Sequence, residues 1–408
     1  MSQRKTIWII NQYASTLDTG MGGRHFYLAQ ELARLGYNVY VIAGSYSHLL
    51  RYPKYFDQDY FIEEVEDNFS FVWVRLPEYR HAHSKKRITN EFLFAKKIIG
   101  IKSSIGNKPD IIIQSSPALI SYLGASILAK KYKVPFIFEV RDIWPLTLTE
   151  IGGYSKKHPF IRLLQWIEDK AYQKSDYVFS NLPNAIEHMK SRGLPEKKFF
   201  WIPNGVSLQE MHDKEPIDEA ILALIPADKF VIGYTGTIGD ANAMDYFIEA
   251  ANLLKNEQAI HFVIVGEGKN KSVLMDKVRQ YNLDNVSFIN PVKKKQVQSV
   301  LDGFDACYIG WHKNLMYRFG IAANKIPEYM YSGKPVVHSF SGSSDFIQQQ
   351  KAGLTVPAED PRAIADAIYQ LYSMDEKERV QIGARGRQFV IDNLTYEQLA
   401  KKIEDIIF

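Results

Sequence analysis

The chain has a single cysteine, Cys307, among 408 residues. No disulfide can form within it, and a reducing compartment is the expectation. Cys307 lies in the apolar run Ala306-Cys307-Tyr308-Ile309, which reads as a buried strand, not a reactive thiol. Also absent is any run of about 20 apolar residues, the length a membrane span needs. The best candidate, residues 111–129, is broken by Gln114, Ser115, Ser116 and Pro117. The opening Met1-Ser2-Gln3-Arg4-Lys5 does not read as a signal peptide, because the apolar stretch after it stops at Asn11. The expectation is a cytoplasmic protein, at most peripheral on the inner face of the plasma membrane. No Gly-x-Gly-x-x-Gly follows the first strand, which weakens a nicotinamide reading. Asp57-Gln58-Asp59 has the spacing of a metal-binding acid pair but lies in a charged loop. No essential metal and no resident cofactor are expected.

What is present is ordinary globular composition, 46% hydrophobic and 24% charged. The length points to two domains of about 200 residues. The net charge of +4 hides an asymmetry: residues 1–204 carry 28 Lys and Arg against 19 acids, and the rest carry 22 against 27. The first half therefore faces something anionic. A phospholipid surface, a lipid-linked pyrophosphate and a nucleic acid all qualify. Nucleic acid is disfavoured, because the basic residues are spread over many elements and no recognised binding motif appears.

Short apolar runs alternate with amphipathic segments along the whole chain. Strands are predicted at 6–10, 38–42, 71–74, 110–113, 136–139, 177–180 and 198–202. Helices are predicted at 22–35, 90–103, 118–131, 159–173 and 184–192. The pattern restarts with strands at 230–234, 261–265, 286–288, 306–309 and 335–338, and with helices at 243–254, 271–281, 324–331, 361–372, 377–392 and 396–407. Such alternation predicts an α/β protein of two doubly wound, parallel-sheet domains facing a cleft. The join lies at the turn-forming Pro203-Asn204-Gly205. The expected division is 1–203, 204–392 and a terminal helical segment 393–408.

Two segments carry candidate chemistry. Thr19-Gly20-Met21-Gly22-Gly23-Arg24 opens the first helix, where glycines and unpaired N–H groups suit a phosphate; a flexible connection is the alternative. Arg24 is the sharper clue, since a cation in the first turn opposes the helix dipole unless it meets an anion. The second segment runs from Tyr317 to Val337. Pro327 is tolerated only in a first turn, so a helix starts close by, and Gly333 suits its C-cap. Arg318 and Lys325 then flank a helix N-terminus, a good place for a diphosphate. Glu328, one turn in, either accepts from two ribose hydroxyls or stands as a solvated helix residue.

Here the residues resemble a known family. Asn324-Lys325-Ile326-Pro327-Glu328-Tyr329-Met330 with Gly333-Lys334-Pro335-Val336 is similar to the donor-site motif of family 4 retaining glycosyltransferases. Gly22-Gly23-Arg24, Ile202-Pro203-Asn204-Gly205-Val206, Val265-Gly266-Glu267-Gly268 and Ala352-Gly353-Leu354-Thr355-Val356-Pro357 agree in order and spacing. Arg141-Asp142-Ile143-Trp144-Pro145 resembles a signature of the branch that builds bacterial surface polysaccharides, including the N-acetylfucosamine transferases. The resemblance spans nearly the whole chain. It implies the GT-B fold, a nucleoside-diphosphate sugar (UDP by analogy with that branch), and a last helix that crosses back to the first domain. It implies Glu328 as the ribose-binding acid and Gly22-Gly23 near the donor phosphates. Gly236, Gly266, Arg318, Gly320, Ile321 and Asn324 would complete the donor site. A nucleotide-sugar epimerase on the same scaffold is the alternative.

Three departures matter. The first of the family's two usual glutamates is Gly320 here. Gly236-Thr237-Ile238-Gly239-Asp240-Ala241-Asn242 lacks the Arg and Lys that many members carry. Arg141-Asp142 stands where many members place a histidine. Arg24, Arg318 and Lys325 are therefore expected to supply the positive charge, and Asp142 a polar contact to acceptor or donor sugar. The basic segment 79–104, with Arg80, Lys85, Lys86 and Arg87 and one acid, Glu91, reads either as a face for an anionic membrane or as a core helix with a solvated basic side. A saccharide or polyprenyl-pyrophosphate-linked acceptor fits the first. On this reading a chelator such as EDTA should leave turnover unchanged in a transfer assay, and restoration of lost activity by added divalent cation would overturn it.

Overall fold

The structure is a computed structural model that describes residues 4–79, 84–101 and 105–408. The chain divides into two compact units, Met1–Pro203 with Tyr396–Phe408, and Asn204–Thr395. Residues 393–395 thus stay with the second unit, where the Val206 N–H donates to the Leu394 carbonyl (2.9 Å) and Val206 bridges Thr395.

The first unit holds β1 (Thr6–Ile10), β2 (Asn38–Gly44), β3 (Tyr60–Glu66), β4 (Phe69–Val74), β5 (Ile111–Ser115), β6 (Phe136–Val140), β7 (Tyr177–Ser180) and β8 (Phe199–Trp201). Their order is β3-β4-β2-β1-β5-β6-β7-β8. All pairs are parallel except β3 with β4. β3 was not expected from the sequence. It is an edge strand, and Tyr-Phe-Ile-Glu-Glu-Val-Glu carries the charges that edges tolerate; Asn68, at φ 65°, turns the chain into β4.

Alternate strand residues face two helix layers. Ile7, Ile9, Ile111 and Ile113 form one core with Phe26, Leu28 and Leu32 of helix Arg24–Arg34. The terminal helix Tyr396–Ile407 joins this layer through buried Leu399, Ala400 and Ile403. Tyr27 stacks on Tyr396 with centroids 5.2 Å apart, and Tyr37 on Phe408 at 5.0 Å. On the other face Trp8 meets Tyr132 edge-on, and Phe138 packs between Tyr122 and Tyr172. Helices Lys85–Ile99, Ser121–Tyr132 and Pro159–Lys174 cover that side. The first two cross so closely that a Cβ on Gly124 would lie 2.2 Å from the Ala95 carbonyl oxygen.

The second unit holds β9 (Phe230–Thr235), β10 (Ile260–Val265), β11 (Val286–Ile289), β12 (Ala306–Gly310), β13 (Val336–Ser339) and β14 (Gly353–Val356), in the order β11-β10-β9-β12-β13-β14 and all parallel. Cys307 is fully buried on β12, and burial pushes its thiol up to about 12. Among the described residues no helix is long and apolar enough to cross a membrane. Ile403 is buried against the first-unit core, so Ile403→Ala should cost about 2–5 kcal/mol, read as a lower urea midpoint for the transition of that unit.

Candidate active site

In doubly wound sheets ligands lie beyond the carboxyl ends of the strands, where the strand order reverses. In the second unit the reversal falls between β9 and β12. The loop after β9 begins at Gly236 and the loop after β10 at Gly266, with φ of 134° and 151°, the region that favours glycine. A Cβ on Gly266 would lie 1.9 Å from the Gly236 carbonyl oxygen. The Gly236 N–H donates to Val265 O and the Ile238 N–H to Glu267 O, both at 2.9 Å. Two glycines thus let two loops lie against each other.

Lys325, the first residue of helix Lys325–Tyr331, reaches into this corner. Its Nζ donates to the Tyr234 hydroxyl at 2.5 Å and to Asn242 Oδ1 at 3.1 Å, and sits 4.4 Å from the Tyr234 ring centroid. The Tyr234 hydroxyl donates on to Thr237 O (2.6 Å), and Asn242 Nδ2 to the same oxygen (2.9 Å). Burial pulls the Lys325 ammonium down to about 8, against the charge of Glu328. Thus the loop that lacks Arg and Lys in sequence receives its cation from another element. Tyr234 and Asn242 were not among the expected site residues; no local pattern marks them.

One turn along, the Glu328 carboxylate pairs with Lys294, and it is largely shielded from solvent. It is therefore a partnered carboxylate, neither a solvated one nor a bare one. Gly320 has φ 93° and Ile321 is buried, and Asn324 is the exposed residue before the helix. Arg318 is exposed: its Nη1 donates to Leu315 O (2.6 Å) and its guanidinium lies 4.3 Å from the Phe319 ring centroid. These residues share one loop and helix start.

In the first unit Gly22 and Gly23 take φ of 62° and 80° and lead directly into helix Arg24–Arg34. Arg24 does not serve the role expected of it. Its side chain is 1% exposed, and its Nε donates to Glu139 Oε1 at 2.8 Å. Nη1 donates to Pro203 O, and Nη2 to Ile202 O at 2.9 Å. The anion that compensates its position at the helix start is Glu139 of β6, not a ligand. His25 completes the group, with Nε2 2.7 Å from Glu139 Oε2 and Nδ1 3.1 Å from Asn11 Nδ2. Burial alone would raise the Glu139 pKa, but Arg24 and His25 hold it well below the carboxylate range. Burial lowers the His25 pKa against the pull of Glu139. The network assigns a neutral imidazole that donates from Nε2 and accepts at Nδ1.

Asp142 is exposed just beyond β6. Its neighbour Arg141 is half-buried, and its Nε is buried with no hydrogen-bond partner among the described residues. That guanidinium is a cation the sequence reading passed over. Arg80 and Lys102 lie outside the described residues. Lys85 and Lys86 are exposed, but Arg87 turns inward. Its Nε donates to the Tyr13 hydroxyl (3.1 Å) and lies 3.9 Å from Glu91, whose pKa burial raises to about 7 against Arg87 and Tyr13. Arg87 is therefore half-buried against Tyr13 and Glu91, apart from the open basic face.

Comparison with known proteins adds to this geometry. Residues 20–210 match the family model described as Glycosyltransferase Family 4, and residues 229–374 match Glycosyl transferases group 1. The chain is 25% identical over 285 residues to a putative colanic acid biosynthesis glycosyl transferase, WcaI, of Escherichia coli K12, covering 66% of this chain and 68% of that protein. It is 27% identical over 176 residues to the poly(ribitol-phosphate) alpha-N-acetylglucosaminyltransferase of Staphylococcus aureus COL, covering 42% of this chain and 34% of that one. In structure it is similar to sucrose-phosphate synthase from Thermosynechococcus elongatus, with TM-score 0.71, 17% identity and coverage of 99% and 98%. It is also similar to Anabaena HepE in complex with UDP and glucose, with TM-score 0.67, 12% identity and 99% of each chain covered. The likeness extends to WaaG, a glycosyltransferase involved in lipopolysaccharide biosynthesis, with TM-score 0.66, 15% identity and coverage of 98% and 99%.

Two outcomes follow from these side chains. Arg24→Ala leaves a buried carboxylate without its main partner, so it should cost about 3–5 kcal/mol in denaturant unfolding. Lys325 is charged at neutral pH and loses its proton as pH rises through about 8. Affinity for a nucleoside diphosphate should therefore fall by up to about tenfold per unit above that value, and Lys325→Arg should flatten the profile measured by calorimetry.

Proposed function

The chain is a glycosyltransferase of the GT-B fold, and from that premise we propose that it moves a sugar, an N-acetylated or deoxy hexose, from a UDP-sugar to a saccharide or polyprenyl-pyrophosphate-linked acceptor in bacterial surface polysaccharide biosynthesis, with retention of configuration. The observation that carries the reading is the Lys325 ammonium held against the paired Gly236 and Gly266 loops, with Glu328 one turn along the same helix. The names of similar proteins agree with it: colanic acid for one, lipopolysaccharide for another, and UDP with glucose in the HepE complex.

The chemistry needs a departing diphosphate. Negative charge grows on the leaving oxygens while positive charge grows at the anomeric carbon. Lys325, the N–H groups of the neighbouring loops and Arg318 stabilise the first of these, and each such preorganised donor contributes about 3–4 kcal/mol. Glu328, oriented by Lys294, accepts from the two ribose hydroxyls. The acceptor hydroxyl attacks on the face the diphosphate leaves. The anomeric C–O bond to phosphate breaks, the bond to the acceptor oxygen forms, and the departing phosphate oxygen takes the acceptor proton. No protein nucleophile and no metal enters this course. Asp142 and Arg141 serve polar contacts to a sugar. Lys85 and Lys86 serve peripheral contact with an anionic membrane, on the cytoplasmic side.

The test is thermal stabilisation by UDP, GDP, ADP, CDP and dTDP. UDP at 100 times its dissociation constant should add about 2.7 kcal/mol, and Glu328→Ala should abolish the gain. If no diphosphate stabilises the protein, the donor-site reading falls. Product analysis without acceptor separates an epimerase from a transferase.

A further inference from the structure

The helix layer over the second face of the first sheet carries a groove that catalysis does not use. It lies between helices Ser121–Tyr132 and Pro159–Lys174 and has a volume of about 500 Å³, within the range of ligand pockets. Its floor is apolar, with Tyr122 and Phe136 buried beneath and Trp166 standing 50% exposed at its side. Its rim carries Lys130, Lys133, Lys170 and Lys174. None of these four ammonium groups has a carboxylate partner among the described residues. The one acid there, Asp176, accepts from the Phe136 N–H at 2.8 Å. Phe136 and Asp176 stand at the amino ends of β6 and β7. The groove thus opens at the end of the sheet remote from the ligand-binding loops of this unit.

We propose that this groove seats an anionic phospholipid of the membrane surface, with its phosphate at the lysine rim and its apolar chain on the Tyr122–Phe136 floor against Trp166. The proposal deepens the peripheral membrane contact stated above and rests on it. Lysines near helix C-termini complement the helix dipole, and both helices end here. That accounts for Lys130 and Lys174, in the last turns, but not for Lys170 a turn earlier or for the exposed Trp166 indole one turn before that. Two helix C-termini, each partly negative, disfavour a small anion drawn deep into the groove. A cationic rim around an apolar floor suits an amphiphile instead, and Trp with Lys is the pair that settles at a membrane interface. Ile127, 47% exposed, extends the apolar surface on the same helix. Helix Lys85–Ile99, which carries exposed Lys85 and Lys86, packs beside this helix at Gly124.

The test uses the full chain with vesicles of phosphatidylcholine alone and of phosphatidylcholine with phosphatidylglycerol. Partition onto the anionic vesicles should drop about a hundredfold in Lys130→Glu/Lys170→Glu/Lys174→Glu. The wild type should show a blue shift of tryptophan emission that Trp166→Phe lacks. UDP stabilisation should stay unchanged in both variants, which keeps the donor site separate. Wild-type partition in the triple variant would overturn the groove. If instead Lys85→Glu/Lys86→Glu alone loses binding, the membrane contact stands and the groove falls. No binding by the wild type would overturn both, with the UDP response still reporting on the transferase reading. An equal emission shift with inorganic phosphate would assign the lysines to a soluble anion and overturn the lipid.

Discussion

The first unit depends on one buried carboxylate. Glu139, on a central strand, takes the guanidinium of Arg24 and the imidazole of His25, and neither acid nor base reaches solvent. A charge in that position is tolerated only with partners, since desolvation costs several kcal/mol for each ion. Satisfying it has three consequences. The first helix is fixed at its amino end, the glycine loop that leads into it is fixed with it, and the chain leaving the unit is held by its Ile202 and Pro203 carbonyls. One ion pair therefore sets the geometry of segments that are far apart in sequence.

The second unit meets an analogous demand with the opposite sign. Lys325 is taken from water to a place lined by a phenol and an amide, both neutral, and burial lowers its pKa against the charge of Glu328. A group held this way gains from any anion brought beside it, because a negative partner favours the charge that burial penalises. Glu328 is treated differently. Lys294 neutralises it, so the carboxylate is held in place by a partner of its own. The two residues lie on one short helix, but one is left wanting a counter-charge and the other is given one.

Much of the fold was legible along the chain. The alternation of apolar runs with amphipathic segments located twelve of the strands, because central parallel strands are apolar on both faces and stand out from their surroundings. The two missed were edge strands: β3, which carries three glutamates, and β14, four residues of which the first is Gly353. The donor segment was legible for a different reason. Pro327 and Gly333 punctuate the helix locally, so the positions of Lys325 and Glu328 follow from neighbours in sequence.

The sequence by itself determined what short-range chemistry can specify: strand and helix periods, caps, the glycines that let loops touch, and the motif that put Lys325 and Glu328 one turn apart. Tertiary structure decided which charges are available. Arg24 looked like a phosphate ligand until β6 brought Glu139, 115 residues away, to 2.8 Å. Arg87 looked like part of a basic face until Tyr13 and Glu91 closed on it. Lys325 became the cation of a loop whose Asn242 is 83 residues from it because β9 and β12 lie side by side. The reason is physical: an ion pair depends on distance and desolvation, both set by sheet order, and neither is written in the local pattern of the chain.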